Sequence, residues 1–279
     1  MKEPAIRTLS AIKRAAAGAG GFELIQQYVD KVTVSKDLET YYRWLFDNEV
    51  ATQVVSNLRR DKTRATGIHP SSACKKDVCL LKVYYECTHD IAPSRSFDQK
   101  MAVTWDTGTM LHDMMQAHFK AMYGKQFSFE VPLEKGYVTS HTDGIFDFSD
   151  YRFILEMKSI KEGGNYGWEK IQAKPMDDNV RQAYFYMWLA DIPFALVFYI
   201  GKNVGEFKEH AVVFNPLVWE DIEHNVINPV ISAAYEGGPM VEGTPGWHCR
   251  WCDFAYACPA KASGKVKGEV EHGIPWEGR

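Results

Sequence analysis

Glu156 and Lys158 stand two residues apart in the run FILEMKSIK, among the apolar residues Phe153, Ile154, Leu155 and Met157. Side chains alternate across a strand, so Glu156 and Lys158 share one face while Leu155 and Met157 share the other. The preceding run, with Val138, Ile145, Phe146 and Phe148, reads as a partner strand joined through a polar turn at Asp147–Asp150. Asp143 falls on that partner. Buried charges are costly unless they are paired or bind a metal. Two acids and a lysine on adjacent strands therefore suit a divalent cation with an amine beside it. The ordinary alternative is a solvated ion pair, which contributes little; the rest of the chain must decide.

Cysteine supplies a second kind of chemistry. Near the C-terminus stands WHCRWCDFAYACPA, with the spacing Cys249-x2-Cys252-x5-Cys258. Three thiolates this close can supply three corners of a tetrahedral metal site or of an iron–sulfur cubane. A fourth ligand would come from upstream, where Cys74, Cys79 and Cys87 are candidates, with His248 as an outside choice. The competing explanations are ordinary buried cysteines or a redox Cys-x-x-Cys, but the latter should open a helix after a strand.

These residues must be positioned by helices and strands. Helical spacing predicts helices over Ala5–Ala17 and Leu38–Leu58, separated by a Gly-rich break that lacks the features of a phosphate loop. A short buried helix follows Cys79. A long one spans Phe97–Tyr123, with Gly108 and His112 on one face. QFSFEVPLE alternates as a strand. The Gly-containing stretch Lys161–Lys174 reads as a mobile loop beside the acid–lysine pair. A helix over Asp177–Asp191 brings Gln182 and Tyr186 to one face. Strands at Phe194–Ile200 and Glu206–Phe214 and a helix over Pro216–Tyr235 complete the pattern.

With 279 residues, 46% of them hydrophobic, the chain can bury a sizeable core in one large domain or two small ones. No apolar run approaches the roughly 20 residues needed to span a bilayer. The start of the chain lacks a signal-peptide apolar core, so a cytoplasmic location and no membrane partner are expected. A net charge of −4 argues against coating duplex DNA by bulk charge. Local basic groups remain: Arg59, Arg60, Lys62, Arg64, Lys75 and Lys76, and then Lys158, Lys161, Lys170, Lys174 and Arg181.

Gly108-Thr-Met-Leu-His112, Asp143, Glu156-Met-Lys158 and Gln182-x3-Tyr186, in that order, resemble the RecB-like branch of the PD-(D/E)xK nuclease superfamily. One upstream cysteine and three terminal ones resemble its iron–sulfur members: the AddB nuclease domain, the CRISPR-associated RecB-like exonucleases and phage relatives. The resemblance covers residues 67–260. It implies an α/β, restriction-endonuclease-like central mixed β-sheet flanked by helices. An N-terminal helical extension (1–66) would precede this nuclease domain, and a cysteine-bound C-terminal segment would end in a basic tail (261–279).

The resemblance further implies a metal-dependent DNA nuclease, an exonuclease acting in DNA processing, recombination or repair. The alternative is a catalytically silent scaffold that binds DNA or protein. His112, Asp143, Glu156 and the backbone carbonyl of Met157 would hold Mg2+ or Mn2+. Lys158 would position or deprotonate the attacking water, Gln182 would orient Lys158 or the phosphate, and Tyr186 would line the DNA path. Cys79, Cys249, Cys252 and Cys258 would bind a 4Fe-4S cluster, with zinc as the runner-up. The implied partners are DNA with a free end or single-stranded DNA, and recombination, repair or CRISPR-adaptation proteins, in a bacterial or phage-infected cell. The chain departs from the pattern in two places. Thr142 stands where a proline precedes the first acid, and the glycine often found shortly before that acid is absent. Asp147 thus competes with Asp143, as Cys74 does with Cys79.

Overall fold

A computed structural model describes Thr40 and residues 66–93, 99–149, 151–164 and 167–262. The expected N-terminal helical extension, the basic residues from Arg59 to Arg64 and the tail beyond Ala262 lie outside the described residues. In chain order, α1 (Pro70–Ala73), α2 (Leu80–Thr88) and α3 (Gln99–Tyr123) come first. The strands β1 (Phe127–Ser128), β2 (Val131–Lys135), β3 (Val138–Thr142), β4 (Gly144–Phe148) and β5 (Tyr151–Ile160) follow. Next come α4 (Asp177–Ala190), β6 (Phe194–Gly201), β7 (Phe207–Val213), α5 (Pro216–Ile222), α6 (Asn228–Tyr235) and α7 (Pro259–Ala262).

The chain divides into two compact units. The first, containing Ala102–Leu133 and Ser140–Phe214, carries a five-stranded sheet in the order β1-β4-β5-β6-β7. β5 and β6 are parallel and the other neighbours antiparallel. Only the parallel pair needs a crossover, and α4 supplies it. One face of the sheet packs on α3, where Met115 and Phe119 meet Phe127, Phe146, Phe153, Leu155, Met157 and Phe198. The opposite face carries Glu156 and Lys158. Tyr199, the register partner of Lys158, reaches α4 there by donating its hydroxyl to Asn179 Oδ1 at 2.9 Å. The expected mixed α/β sheet with flanking helices is therefore the architecture observed.

Three local expectations need correction. The run from Val138 to Phe148 is not one strand. It breaks at Asp143, with β3 pairing β2 in a separate two-stranded sheet and β4 entering the main one. The break is held by the Thr142 hydroxyl, placed 3.2 Å from both the Leu155 and the Gly144 carbonyl oxygens. Gly144 is required next to it, because a Cβ there would lie 2.3 Å from the Phe127 ring. QFSFEVPLE likewise splits into β1 and β2 around Glu130, whose φ is 49°. Finally, much of Lys161–Lys174 is not a free loop. A 3-10 turn at Trp168–Ile171 buries both of its end residues, and His210 contacts the Ile171 carbonyl at 2.6 Å.

The second unit takes in Glu134–Thr139 and, among the described residues, stretches 66–93 and 215–262. Its small core joins Leu81 and Tyr85 of α2 to Val241 and Phe254. The predicted helix over Pro216–Tyr235 is interrupted by a π turn, Glu223–Ile227. Pro229 lies just beyond it. Proline lacks an N–H and crowds the carbonyl four residues back, so the widened turn relieves the clash.

Candidate active site

The register of the sheet opens a place for chemistry. β4 ends where Gly144 faces Leu155, but β5 continues to Ile160 against β6. Beyond Leu155 the edge of β5 has no strand neighbour on the β4 side among the described residues. Into that opening turns Asp143, whose Oδ2 accepts the Met157 N–H at 2.6 Å. A residue's N–H and C=O leave a strand on the same side, so the Met157 carbonyl shares this edge. The other oxygen of Asp143 faces His112 Nδ1 of α3 at 3.4 Å.

Glu156 is 0% exposed, and among the described residues no donor other than the Lys158 ammonium reaches its oxygens. The Lys158 ammonium lies directly against Oε1. Burial pushes the Glu156 carboxyl up to about 7, with Lys158 pulling the other way and Asp143 adding to the rise. Burial would raise Asp143 too, but His112, Lys158 and the Met157 N–H hold it below the usual carboxylate range. Burial lowers His112, and the charge and hydrogen bond of Asp143 outweigh it, so the imidazole is raised overall. One carboxylate is thus kept ionised while its neighbour is poised near neutrality. That separation arises from unequal donors, since Asp143 has an N–H and an imidazole, and Glu156 has only the ammonium.

Gln182 donates to the Tyr186 hydroxyl at 2.7 Å, and Ser140 also bonds to that hydroxyl. Tyr186 is only 4% exposed. Burial, with Glu156 and Asp143, pushes its phenol well above the ordinary value. Asp147, the competing first acid, points elsewhere; its side chain is 57% exposed and meets Arg152 Nε at 3.0 Å near the hairpin turn. Gly108 has room to spare, since a Cβ would meet only Ser159 Oγ at 3.8 Å. Lys161, Lys170 and Lys174 are exposed. Sequence reasoning missed Gln116, buried one turn after His112 and bonded to the Asp143 carbonyl at 2.9 Å. Its signal was the four-residue spacing from His112.

In the second unit Cys79 forms the N-cap of α2 and packs with Cys252 and Cys258 beside the small core. Sulfurs here accept main-chain N–H groups: Cys79 from Thr244 at 3.4 Å, Cys249 from Gly246 at 3.3 Å and Cys252 from Phe254. Burial raises the Cys252 thiol, and Cys79 and Cys249 add to the rise. The other two upstream cysteines are buried elsewhere; Cys74 Sγ donates to Ser71 O at 3.7 Å and Cys87 Sγ to Tyr84 O at 3.2 Å.

Both donor sets suit a metal by chemistry. A buried carboxylate whose one charged partner is a lysine, beside a second acid, a histidine and a strand carbonyl, suits a hard divalent cation. Amide N–H groups aimed at sulfur stabilise thiolate ligands. Among the described residues, no three His, Cys, Asp or Glu side chains come together as a group that could hold a metal ion. No described helix is long and apolar enough to cross a membrane.

No family model matches the chain, and no curated protein matches it. Several solved structures resemble it at a distance. The crystal structure of SSO0001 is 15% identical, covers 80% of this chain and 96% of that one, and gives a TM-score of 0.45. The alkaline exonuclease LHK-Exo from Laribacter hongkongensis is 11% identical over 61% of this chain and 89% of that one, with a TM-score of 0.45. A phage related exonuclease from Haemophilus somnus 129PT is 11% identical over 62% of this chain and 93% of that one, with a TM-score of 0.41. The functional reading rests on the geometry of the site itself.

Proposed function

We infer that the protein is a divalent-metal-dependent deoxyribonuclease of the RecB-like PD-(D/E)xK type, acting as an exonuclease on DNA with a free or single-stranded end. The observation that carries this reading is the wholly buried Glu156, whose one donor among the described residues is the Lys158 ammonium, set beside a second acid, Asp143. A carboxylate in that state is costly unless a cation joins it. His112, Asp143, Glu156 and the Met157 carbonyl would hold Mg2+ or Mn2+. Bound there, the ion lowers the pKa of a water and neutralises phosphate charge.

The remaining work falls to the chain's own groups. Lys158 turns from Glu156 to the attacking water and the phosphate oxygens. Asp143 stays ionised because the Met157 N–H and His112 hold its two oxygens. Tyr186, tied to Gln182 and Ser140, supports the buried acids from within rather than touching DNA. Exposed Lys161, Lys170 and Lys174 offer the strand-tracking charge.

Cys79, Cys249, Cys252 and Cys258 would bind a 4Fe-4S cluster that fastens the C-terminal segment to α2, with zinc as the alternative. Protein purified without oxygen should be brown; a colourless product with stoichiometric zinc overturns the iron assignment. Nuclease action is tested by incubating linear DNA with Mn2+ or Mg2+. Glu156→Ala and Lys158→Ala should abolish digestion, and undiminished cleavage by both sinks the site. A gel shift with no cutting in any divalent metal would favour the silent scaffold, whose supporting observation is the closed Glu156–Lys158 contact.

A further inference from the structure

We propose that Gln116 is a positioning residue of the site, fixing the main chain of Asp143 so that its carboxylate stays aimed at the cation. The inference rests on the nuclease reading above. Gln116 is 2% exposed and lies on α3 one turn beyond His112. Its Nε2 donates to the Asp143 carbonyl at 2.9 Å and to Glu130 Oε1 at 3.3 Å. Both partners are acceptors, so only the amide nitrogen can face them, which fixes the orientation of the amide group.

The same helix therefore grips one residue at both ends. His112 meets the Asp143 carboxylate at 3.4 Å, and Gln116 holds its carbonyl. Residues four apart lie over one another on a helix, so the two arms share one rigid support. Asp143 needs that support because it belongs to no strand. The chain bends there between β3 and β4, and the Asp143 carbonyl is not part of a sheet ladder. Glu130 completes the device from the other side. Its carboxylate engages the amide from a backbone at φ 49°, which a glutamate seldom adopts. Loss of the Gln116 donor would leave the Asp143 carbonyl unpaired and let the bend, and the carboxylate with it, drift.

Three variants test this. Gln116→Leu removes the donor, Gln116→Glu replaces it with an acceptor, and Gln116→Lys keeps a donor within reach of both Asp143 and Glu130. Mn2+ affinity is read by titration calorimetry in the absence of DNA, and kcat and KM are read on linear DNA. Gln116→Leu and Gln116→Glu should each weaken Mn2+ binding on the order of 10-fold to 100-fold, as supporting groups of metal ligands do. They should lower kcat with KM for DNA nearly unchanged, and Gln116→Lys should recover most of both losses. Native Mn2+ affinity in soluble Gln116→Leu overturns the proposal; should that variant not fold, equal losses in Gln116→Lys and Gln116→Glu do so. Failure of the nuclease reading shows separately, as native protein that neither binds Mn2+ nor cuts DNA.

Discussion

Glu156 and Lys158 are set by a continuous hydrogen-bonded sheet with α3 and α4 packed beside it, and Asp143 by the bend at its edge, whereas Cys249, Cys252 and Cys258 lie on a 3-10 segment and the chain after it. Around the acids, position follows from packing. Glu156 and Lys158 are placed by the register of β5 with β6, and Asp143 by a bend with hydrogen bonds on three sides. Around the cysteines, placement relies on N–H···S contacts to Cys79, Cys249 and Cys252 and on a small apolar core of four buried residues. A sheet can hold an unfavourable buried carboxylate because the cost is spread over many ladder bonds and buried side chains. A string of turns has no such reserve.

The sharpest break between the two regions should come from Lys158→Ala set against Cys252→Ser. Lys158→Ala should lower the cleavage rate on the order of 10²–10⁴-fold, with circular dichroism and bound iron or zinc unchanged. Cys252→Ser should do the reverse first: elemental analysis should show the structural metal lost and the thermal transition lowered. Equal metal loss in both variants would mean that the two regions are not independently built.

Gly144→Ala comes next. Its Cβ would meet the Phe127 ring at 2.3 Å, so the ring or the Asp143 bend must move. The expected destabilisation is about 1–3 kcal/mol by urea unfolding, with activity falling because Asp143 shifts. A smaller effect concerns Glu156. Its carboxyl is pushed from 4.5 to about 7, so its folded pKa lies above its unfolded one. The stability it contributes is full below pH 4.5 and is lost as pH rises through about 7. Without metal, Glu156→Gln should therefore exceed the native protein in stability above about pH 7, by on the order of 2–3 kcal/mol. The advantage should vanish towards pH 4.5 while cleavage stays abolished. Urea titrations with chelator at the two ends of that range measure it; a pH-independent difference removes burial as the cause. The smallest effect is assigned to Asp147→Ala. Its exposed pair with Arg152 should be worth about 0–1 kcal/mol, and loss of nuclease activity would revive Asp147 as the first acid.

Much of the site was legible because strand periodicity is short-range. Alternation alone puts Glu156 and Lys158 together and Leu155 and Met157 opposite, and helical spacing alone pairs Gln182 with Tyr186. The break at Asp143 was not legible. It depends on where β4 stops against Leu155, on a Thr142 hydroxyl reaching across to β5 and on a Phe127 ring that only a glycine admits. The Trp168–Ile171 anchor was hidden for a similar reason, since its burial partners lie far along the chain.

By itself the sequence determined which residue types could do chemistry and which of them share a strand or helix face, because those relations are set by local backbone geometry. It left open whether Asp143 or Asp147 joins Glu156 and whether Cys74 or Cys79 accompanies the terminal three cysteines. The tertiary structure places Asp143 beside Glu156, Cys79 beside Cys252 and Cys258, and Tyr186 in the interior. It also brings in Gln116, which no motif marks. Each of these turns on contacts between segments distant in the chain, where burial and hydrogen-bond partners, not periodicity, determine the outcome.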